Sequence, residues 1–203
     1  DSGFSPNTSV IGHSGMTFAL VEAGTSPVAL TYDLETIGYD NFGGTLPGAF
    51  SAHTKYDPVK KELHAVCYAY PNILDRLQHV VLGPDNRVKK VTDIPIEGMP
   101  MVHDMSITEQ YAIIYDLPVC VDLDLAMKGD PFPIAWQNER QSRIGLLPLD
   151  GEASDIIWCE APRCYVFHSV NAFEVNGGQD DKKIIIDLCR YERVFQKDLK
   201  GPA

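Results

Sequence analysis

The segment AFSAHTKYDPVKKELHAVCYAY, residues 49–70, decides the fold class. Two apolar stretches flank its turn sequence DPVKK, and the second stretch contains the residue types that favour strands. The same layout of strand, turn and strand returns in MVHDMSITEQYAIIYDLPV (101–119) and in YVFHSVNAFEVNGGQDDKKIIIDL (165–188). Each of these three segments therefore predicts a β-hairpin.

Strand-like stretches continue over the rest of the chain. They are short, several alternate apolar with polar residues, and turn-forming sequences such as GPDN and NGGQDD separate them. We predict strands at residues 16–22, 27–32, 49–56, 62–70, 77–83, 88–96, 101–108, 111–119, 143–149, 155–161, 164–175 and 183–192. A helical turn is favoured only near Asp122 to Met127. About a dozen short strands predict an all-β architecture, which is a sandwich, a barrel or a propeller.

A histidine lies on the predicted first strand of each repeated segment. His53, His103 and His168 are 50 and 65 residues apart, and a four-stranded propeller blade occupies roughly 40 to 50 residues. The inner strand of each blade lines the central channel of a propeller. Histidines that recur once per blade would therefore converge on its axis.

Three converging neutral imidazoles predict a metal site. Imidazole suits zinc, copper, iron and nickel, and no Cys or Asp shares the repeat. Histidine-only ligation with a vacant position suits an iron(II) that binds dioxygen, although the spacing alone leaves zinc open. The alternative is that each histidine simply packs within its strand. His13, His64 and His79 lack the repeated context, and we expect them to be hydrogen-bonded or solvated.

The overall composition excludes several classes of function. The 203 residues carry a net charge of −11, and such an acidic surface repels phosphate backbones, which argues against nucleic-acid binding. Five cysteines without a CxxC pair predict buried, reduced thiols in a cytoplasmic protein and no structural zinc site. No stretch resembles a signal peptide or a membrane span. We expect both chain ends to be cuts within a longer protein.

Four motifs occur in an order that resembles the carotenoid oxygenase family. They are NTSVIGHSGMTFALVEAG (7–24), FGGTLPGAFSAHTKYDP (42–58), MVHDMSIT (101–108) and CYVFHSVNAFE (164–174). This family includes carotenoid and apocarotenoid cleavage dioxygenases, stilbenoid cleavage dioxygenases and the vertebrate retinoid isomerase. The resemblance extends over nearly the whole chain.

The resemblance implies a seven-bladed β-propeller with one iron(II) ion on its axis, held by four histidines. Residues 1–203 would then be a partial β-propeller of roughly three to four blades, a fragment of one larger catalytic domain. The fourth histidine and the remaining glutamates of the family would lie past Ala203. We expect the isolated fragment to be inactive, to bind iron weakly and to associate through exposed strand edges.

The resemblance also assigns site residues by position. His53, His103 and His168 match the first three iron ligands. Glu22 matches a glutamate that hydrogen-bonds a ligand histidine, and we expect that histidine to be His103. Thr8 matches a threonine beside the open coordination site, which would limit what binds there besides dioxygen. The alternatives are a solvated glutamate at a strand end and an ordinary turn hydroxyl.

The implied reaction is oxidative cleavage of a conjugated carbon–carbon double bond by dioxygen, giving two carbonyl products. Val21 stands where stilbenoid-cleaving members tend to carry lysine, which favours an apolar polyene, a carotenoid or apocarotenoid, as substrate. The open alternatives are a stilbenoid-cleaving dioxygenase, a retinoid-type isomerase and a non-catalytic binding propeller. Peripheral membrane contact is an expectation for the full-length protein, although we find no apolar patch for it in this sequence.

Overall fold

The computed structural model describes residues 5–22, 24–70, 72–176 and 182–195. Strands account for nearly half of these residues. In chain order they are β1 (Ser9–His13), β2 (Met16–Leu20), β3 (Val28–Leu30), β4 (Thr36–Tyr39), β5 (Lys55–Asp57), β6 (Glu62–Cys67), β7 (Arg76–Leu82), β8 (Val88–Pro95), β9 (Met105–Ile107), β10 (Tyr111–Asp116), β11 (Val119–Val121), β12 (Ile134–Trp136), β13 (Ser142–Pro148), β14 (Ile157–Ala161), β15 (Tyr165–Asn176) and β16 (Lys182–Tyr191). One short helix, α1 (Leu123–Met127), begins at the N-cap Asp122 and confirms the predicted helical turn.

The strands form successive antiparallel meanders. Among the described residues there are three four-stranded sheets, with the strand orders β1-β2-β3-β4, β5-β6-β7-β8 and β9-β10-β13-β14. Strands β15 and β16 form a two-stranded ribbon. Each four-stranded meander has the form of one propeller blade, and the ribbon has the form of the start of a fourth. This arrangement confirms the predicted all-β, partial-propeller fold.

An insertion in the third sheet explains the unequal histidine spacing. Strands β11 and β12 pair with each other and carry α1 between them, and all three elements separate β10 from β13. They account for the longer step between the second and third histidines. The predicted single strand 111–119 is wrong, because it ends at Asp116 and a new strand begins at Val119. Pro118 lies between them and has no N–H to donate to a ladder.

The strand predictions contain further errors. Strands β1, β4 and β12 were not predicted, because they are short and carry few adjacent apolar residues. His53 and His103 lie two residues before β5 and β9 rather than on them, whereas His168 lies on β15. Just before β5, a side chain rather than a neighbouring strand binds the backbone. The Ser51 hydroxyl accepts a hydrogen bond from the His53 N–H at 3.4 Å.

The apolar core lies between the sheets. Strand β6 is buried along its whole length, because its side chains alternate between two clusters. Leu63 and Ala65 join Phe18 and Phe50 in a cluster between the first and second sheets. Val66 instead belongs to a cluster that joins the second sheet, the third sheet and β15. The middle sheet is therefore covered on both faces, as expected for a blade between two others.

The cysteine prediction holds only in part. All five cysteines are free, and Cys67, Cys120 and Cys164 are buried as expected. Cys159 and Cys189 are exposed, which corrects the prediction. They lie on β14, an edge strand, and on β16 of the ribbon, and an edge strand or an uncovered face leaves alternate side chains in solvent. Within the described ranges, no helix is both long and apolar enough to cross a bilayer.

Candidate metal centre

The structure brings the three predicted histidines together. The ring centroids of His53 and His103 are 4.5 Å apart, those of His53 and His168 are 4.8 Å apart, and those of His103 and His168 are 5.0 Å apart. One ring nitrogen from each histidine can be chosen so that all three lie within 4.8 Å of one another. Residues more than a hundred positions apart in the sequence thus form one cluster of imidazole donors.

Packing between the first strands of successive sheets creates this cluster. Strand β9 packs against both β5 and β15. His53 and His103 lie just before their strands, at the end where these strands approach one another. His168 lies within β15 at a register irregularity between Val166 and Ser169. A bulge of this kind changes the direction in which a side chain points, and this one lies at the third histidine.

Glu22 lies against His103. Its Oε2 is 2.5 Å from Nδ1 of His103, and the Tyr68 hydroxyl donates to its other oxygen. Because a carboxylate only accepts, Nδ1 of His103 carries the proton and Nε2 presents its lone pair. Metal-binding histidines commonly use this arrangement. Tyr68 was not singled out in the sequence, because 46 residues separate it from Glu22.

The pKa of Glu22 is lowered although the side chain is largely buried. Burial raises this pKa, but hydrogen bonds from His103 and Tyr68 and the charge of His103 lower it by more. Burial and the carboxylate at Glu22 together raise the pKa of the Tyr68 hydroxyl well above its ordinary value. The pair is therefore an ionised carboxylate held by two donors.

His53 is in the neutral form that a metal ligand requires. Burial, followed by the charge of His103, lowers its pKa below the ordinary value of 6.5. Its Nε2 is buried and has no hydrogen-bond partner among the described residues. A buried polar atom without a partner costs about 1–3 kcal/mol, and a metal ion would satisfy it. The donor set and this unpaired nitrogen therefore fit a divalent transition metal.

Thr8 lies outside the cluster of imidazoles. It is exposed and directly precedes β1, as His53 and His103 precede their own first strands. The neighbouring Ser9 donates its hydroxyl to the carbonyl of Ala52 at 2.6 Å, so this segment packs beside the segment of His53. Thr8 thus lies just before the first strand of its sheet, as His53 and His103 do, whereas His168 lies within β15.

The remaining histidines have other environments. His13 ends β1, where it is buried with Nε2 2.9 Å from the carbonyl oxygen of Gly83. His64 and His79 are buried and stacked, and their ring nitrogens are 3.2 Å apart. None of these three rings reaches the cluster. His64 Nε2 and His79 Nδ1 are buried without a hydrogen-bond partner among the described residues, which departs in part from the expectation that these rings are hydrogen-bonded or solvated.

An apolar cavity of about 520 Å³ opens beside Glu22. Aromatic and aliphatic side chains line most of it, and the insertion that contains α1 forms one wall. Its lining includes Tyr68, Tyr70, Met99, Met101, Phe132 and Ile134. None of the described residues that line it is Lys or Arg. The cavity therefore suits an apolar ligand near the histidines.

The fold and the site together define a propeller-type chain with a cluster of three histidines, and comparison with known proteins places it in a family. The family model described as retinal pigment epithelial membrane protein, RPE65, matches residues 4–202. The chain belongs to this family.

Individual relatives agree with this assignment. A carotenoid cleavage oxygenase of Mycobacterium tuberculosis is 35% identical over 237 residues, covering 98% of this chain and 47% of the relative. A carotenoid 9,10(9',10')-cleavage dioxygenase of Crocus sativus is 31% identical over 192 residues, covering 92% of this chain and 34% of the relative. The chain thus spans about half the length of the first of these relatives and about a third of the second.

Solved structures show the same fold. The lignostilbene dioxygenase of Pseudomonas brassicacearum superposes with a TM-score of 0.82 at 31% identity, covering 92% of this chain and 38% of that chain. A mutant of the apocarotenoid oxygenase of Synechocystis superposes with a TM-score of 0.80 at 27% identity, covering 97% of this chain and 42% of that chain. Both neighbours are oxygenases by name, so the family is one of dioxygenase-like enzymes.

Proposed function

We propose that the whole protein is a non-haem iron(II) dioxygenase that cleaves a conjugated carbon–carbon double bond of a carotenoid or apocarotenoid. The observation that carries this proposal is the cluster of His53, His103 and His168 beside Glu22. The relatives named carotenoid cleavage oxygenases support the reaction class. A fourth histidine is expected, by resemblance to the family, from a part of the protein outside this chain.

The residues of this chain would hold the metal and exclude water. His53, His103 and His168 would be ligands, and none would act as an acid or a base. Glu22 would keep His103 in the tautomer whose Nε2 faces the ion. When bound, iron(II) supplies the redox chemistry that lets dioxygen react with an alkene. Both oxygen atoms would enter the products, one in each carbonyl group, so no further reductant is needed.

Thr8 is proposed to lie beside the open coordination position. Its place just before β1 supports this role, because His53 and His103 likewise lie just before β5 and β9. A short hydroxyl side chain leaves more room than an imidazole and adds no strong metal ligand. Dioxygen would fit beside it, and larger ligands would be hindered.

The substrate is proposed to be an apolar polyene. The cavity beside Glu22 is lined mainly by apolar and aromatic groups, and the residue before Glu22 is Val21 rather than a cation. A stilbenoid is the second candidate, because the lignostilbene dioxygenase superposes as well as the apocarotenoid oxygenase does. The phenols of Tyr68 and Tyr70 could bind its hydroxyl groups.

Exposed apolar side chains and the cysteines support three further proposals. Leu123, Met127 and Phe132 are exposed on or near α1, and Leu123 and Phe132 also line the cavity. This apolar rim, which the sequence did not reveal, supports peripheral membrane contact of the whole protein. Phe173 and Ile185 are exposed on the ribbon, and we propose that further chain or a second copy covers them. The free cysteines fit the reducing cytoplasm as the compartment.

The test is metal analysis of the full-length protein together with oxygen-dependent cleavage of an apocarotenal under ¹⁸O₂. We expect one iron per protein and one labelled oxygen in each of two carbonyl products. His103→Ala should abolish both iron and cleavage, whereas the control His13→Gln should retain both. A wild-type protein without iron that leaves the polyene intact would overturn the proposal. Cleavage of lignostilbene alone would favour the second candidate, and isomerisation without label would favour a retinoid-type isomerase.

A further inference from the structure

Backbone hydrogen bonds do not align the three strands that position the histidines. Strands β5, β9 and β15 belong to three separate sheets, so no backbone ladder joins them. Within one sheet a ladder fixes the register of neighbouring strands. Between sheets only side-chain contacts can fix how far one strand is displaced along another. The mutual distances of the three imidazoles depend on that displacement.

Asp104 connects all three strands at the level of the histidines. Its Oδ1 is 2.6 Å from Nζ of Lys55, which begins β5 two residues after His53. Its Oδ2 accepts from the backbone N–H of Ser169 at 3.2 Å and lies 3.3 Å from the Ser169 hydroxyl. Ser169 directly follows His168, and Asp104 directly follows His103. Each group bound by this carboxylate is therefore within two residues of a histidine.

The carboxylate has little freedom to move. The side chain of Asp104 is only 1% exposed, and a buried charge is stable only when it is paired and hydrogen-bonded. Oδ1 also accepts from the N–H of Met105 at 2.8 Å, which orients the carboxylate relative to its own backbone. Moving any one of the three strands would break a bond to a buried charge, which costs more than breaking an exposed one.

The register irregularity in β15 contributes to the link between β15 and Asp104. It lies on both sides of Ser169, between Val166 and Asn171. The Ser169 N–H points to Asp104, which directly precedes the neighbouring strand β9. The irregularity that accompanies His168 therefore also supplies the donor that binds β15 to Asp104. The side chain of His168 is 54% exposed, and its Nδ1 lies 3.8 Å from Oδ2 of the same Asp104.

We propose that Asp104 is a positioning residue that, through Lys55 and Ser169, sets the spacing of the three histidines for metal binding. It binds no metal itself and acts on the imidazoles mainly through the strands that carry them, although its Oδ2 also lies 3.8 Å from Nδ1 of His168. This inference rests on the proposed metal centre and deepens it, because it names the group that aligns strands from three different sheets. Neither the histidine repeat nor the motifs in the sequence indicate this role.

The test is Co(II) binding by the full-length, metal-free protein, measured from the visible absorption of the bound ion. Asp104→Asn should weaken Co(II) binding about tenfold, the lower end of the range for groups that orient ligands. The absorption bands should also shift, since they report the arrangement of the ligands. Lys55→Met should have a similar effect, and Lys55→Arg, which keeps the cation, should restore wild-type affinity and spectrum.

Asp116→Asn is the matched control. Asp116 is also a buried carboxylate, paired with Arg140 and Arg143 in the third sheet, and its loss should lower the unfolding temperature to a similar extent. We expect its Co(II) affinity and spectrum to match the wild type. The inference is overturned if Asp104→Asn or Lys55→Met binds Co(II) within twofold of wild type with unchanged bands, or if Asp116→Asn shifts them equally. A wild-type protein that binds no Co(II) would instead overturn the metal centre itself.

Discussion

Replacing Glu22 by glutamine isolates the contribution of one hydrogen bond to metal binding. The variant keeps the size of the side chain but removes the charge that accepts from Nδ1 of His103 at 2.5 Å. The amide can turn either its oxygen or its NH₂ group toward His103, and its NH₂ group would oppose a donor. His103 then loses the fixed tautomer that directs Nε2 toward the metal.

The size of the effect follows from the position of Glu22 next to a proposed ligand. Loss of a carboxylate that orients a metal-binding histidine weakens metal affinity by about 10–100-fold, which corresponds to about 1.4–2.7 kcal/mol. The control is Tyr68→Phe, which removes the other donor to Glu22 but leaves the bond to His103. We expect Tyr68→Phe to lower stability while changing metal affinity less than about threefold.

The assay is an anaerobic Fe(II) titration of the full-length protein against a competing chelator. The reasoning is refuted if Glu22→Gln retains wild-type affinity, or if Tyr68→Phe weakens binding more than Glu22→Gln does. Acid unfolding of the metal-free protein provides a further check, because the pKa of Glu22 lies below its ordinary value of 4.5. Its contribution to stability is complete above pH 4.5 and is lost as the pH falls through the lower folded-state pKa, and Glu22→Gln should lack this part of the transition.

Three other predictions concern single residues. His53→Ala should abolish metal binding. The metal-free full-length variant should be as stable as wild type or more stable, because the unpaired Nε2 disappears. A large fall in its unfolding temperature would contradict this. Burial and the charge of His64 lower the pKa of His79 to about 3, so stability should fall as the pH drops below 6.5. Urea unfolding at pH 6.5 and pH 5 should show a loss of stability that is smaller by about 1–2 kcal/mol in His79→Gln than in the wild type, because the lowered pKa values of His53 and His64 still contribute. Gly145→Ala should destabilise the fold by about 1–3 kcal/mol in urea unfolding, because the added Cβ would lie 2.8 Å from the ring of Trp158. Adding Trp158→Ala to this variant should relieve part of the loss.

The prediction of the fold from sequence succeeded where strands are long and apolar on both faces. Strands β6 and β7 were predicted close to their observed bounds, because all of their side chains except Arg76 are buried. The short strands β1, β4 and β12 were missed, because β4 has mostly exposed side chains and the others have too few residues for a pattern. Their pairing partners, rather than their own residues, make them strands.

The residues of the candidate site also differ in how far the sequence alone predicts them. The recurrence of His53, His103 and His168 is a property of the sequence, because each repeat contributes one sheet and the residue near each first strand recurs with it. Glu22 could be named only through the resemblance to a family, since nothing local distinguishes it from a solvated glutamate. Its contact with His103 joins residues 81 positions apart, and only packing between sheets creates it.

The sequence by itself determined the class of fold, the repeat and the three imidazoles, because alternation, turn residues and recurrence are local properties of a chain. Only the tertiary structure decided which groups surround those imidazoles. Tyr68 on Glu22, the unpaired Nε2 of His53 and the links from Asp104 to two other strands all arise where separate sheets meet. Such contacts depend on the distances and displacements between sheets, which no short stretch of residues specifies.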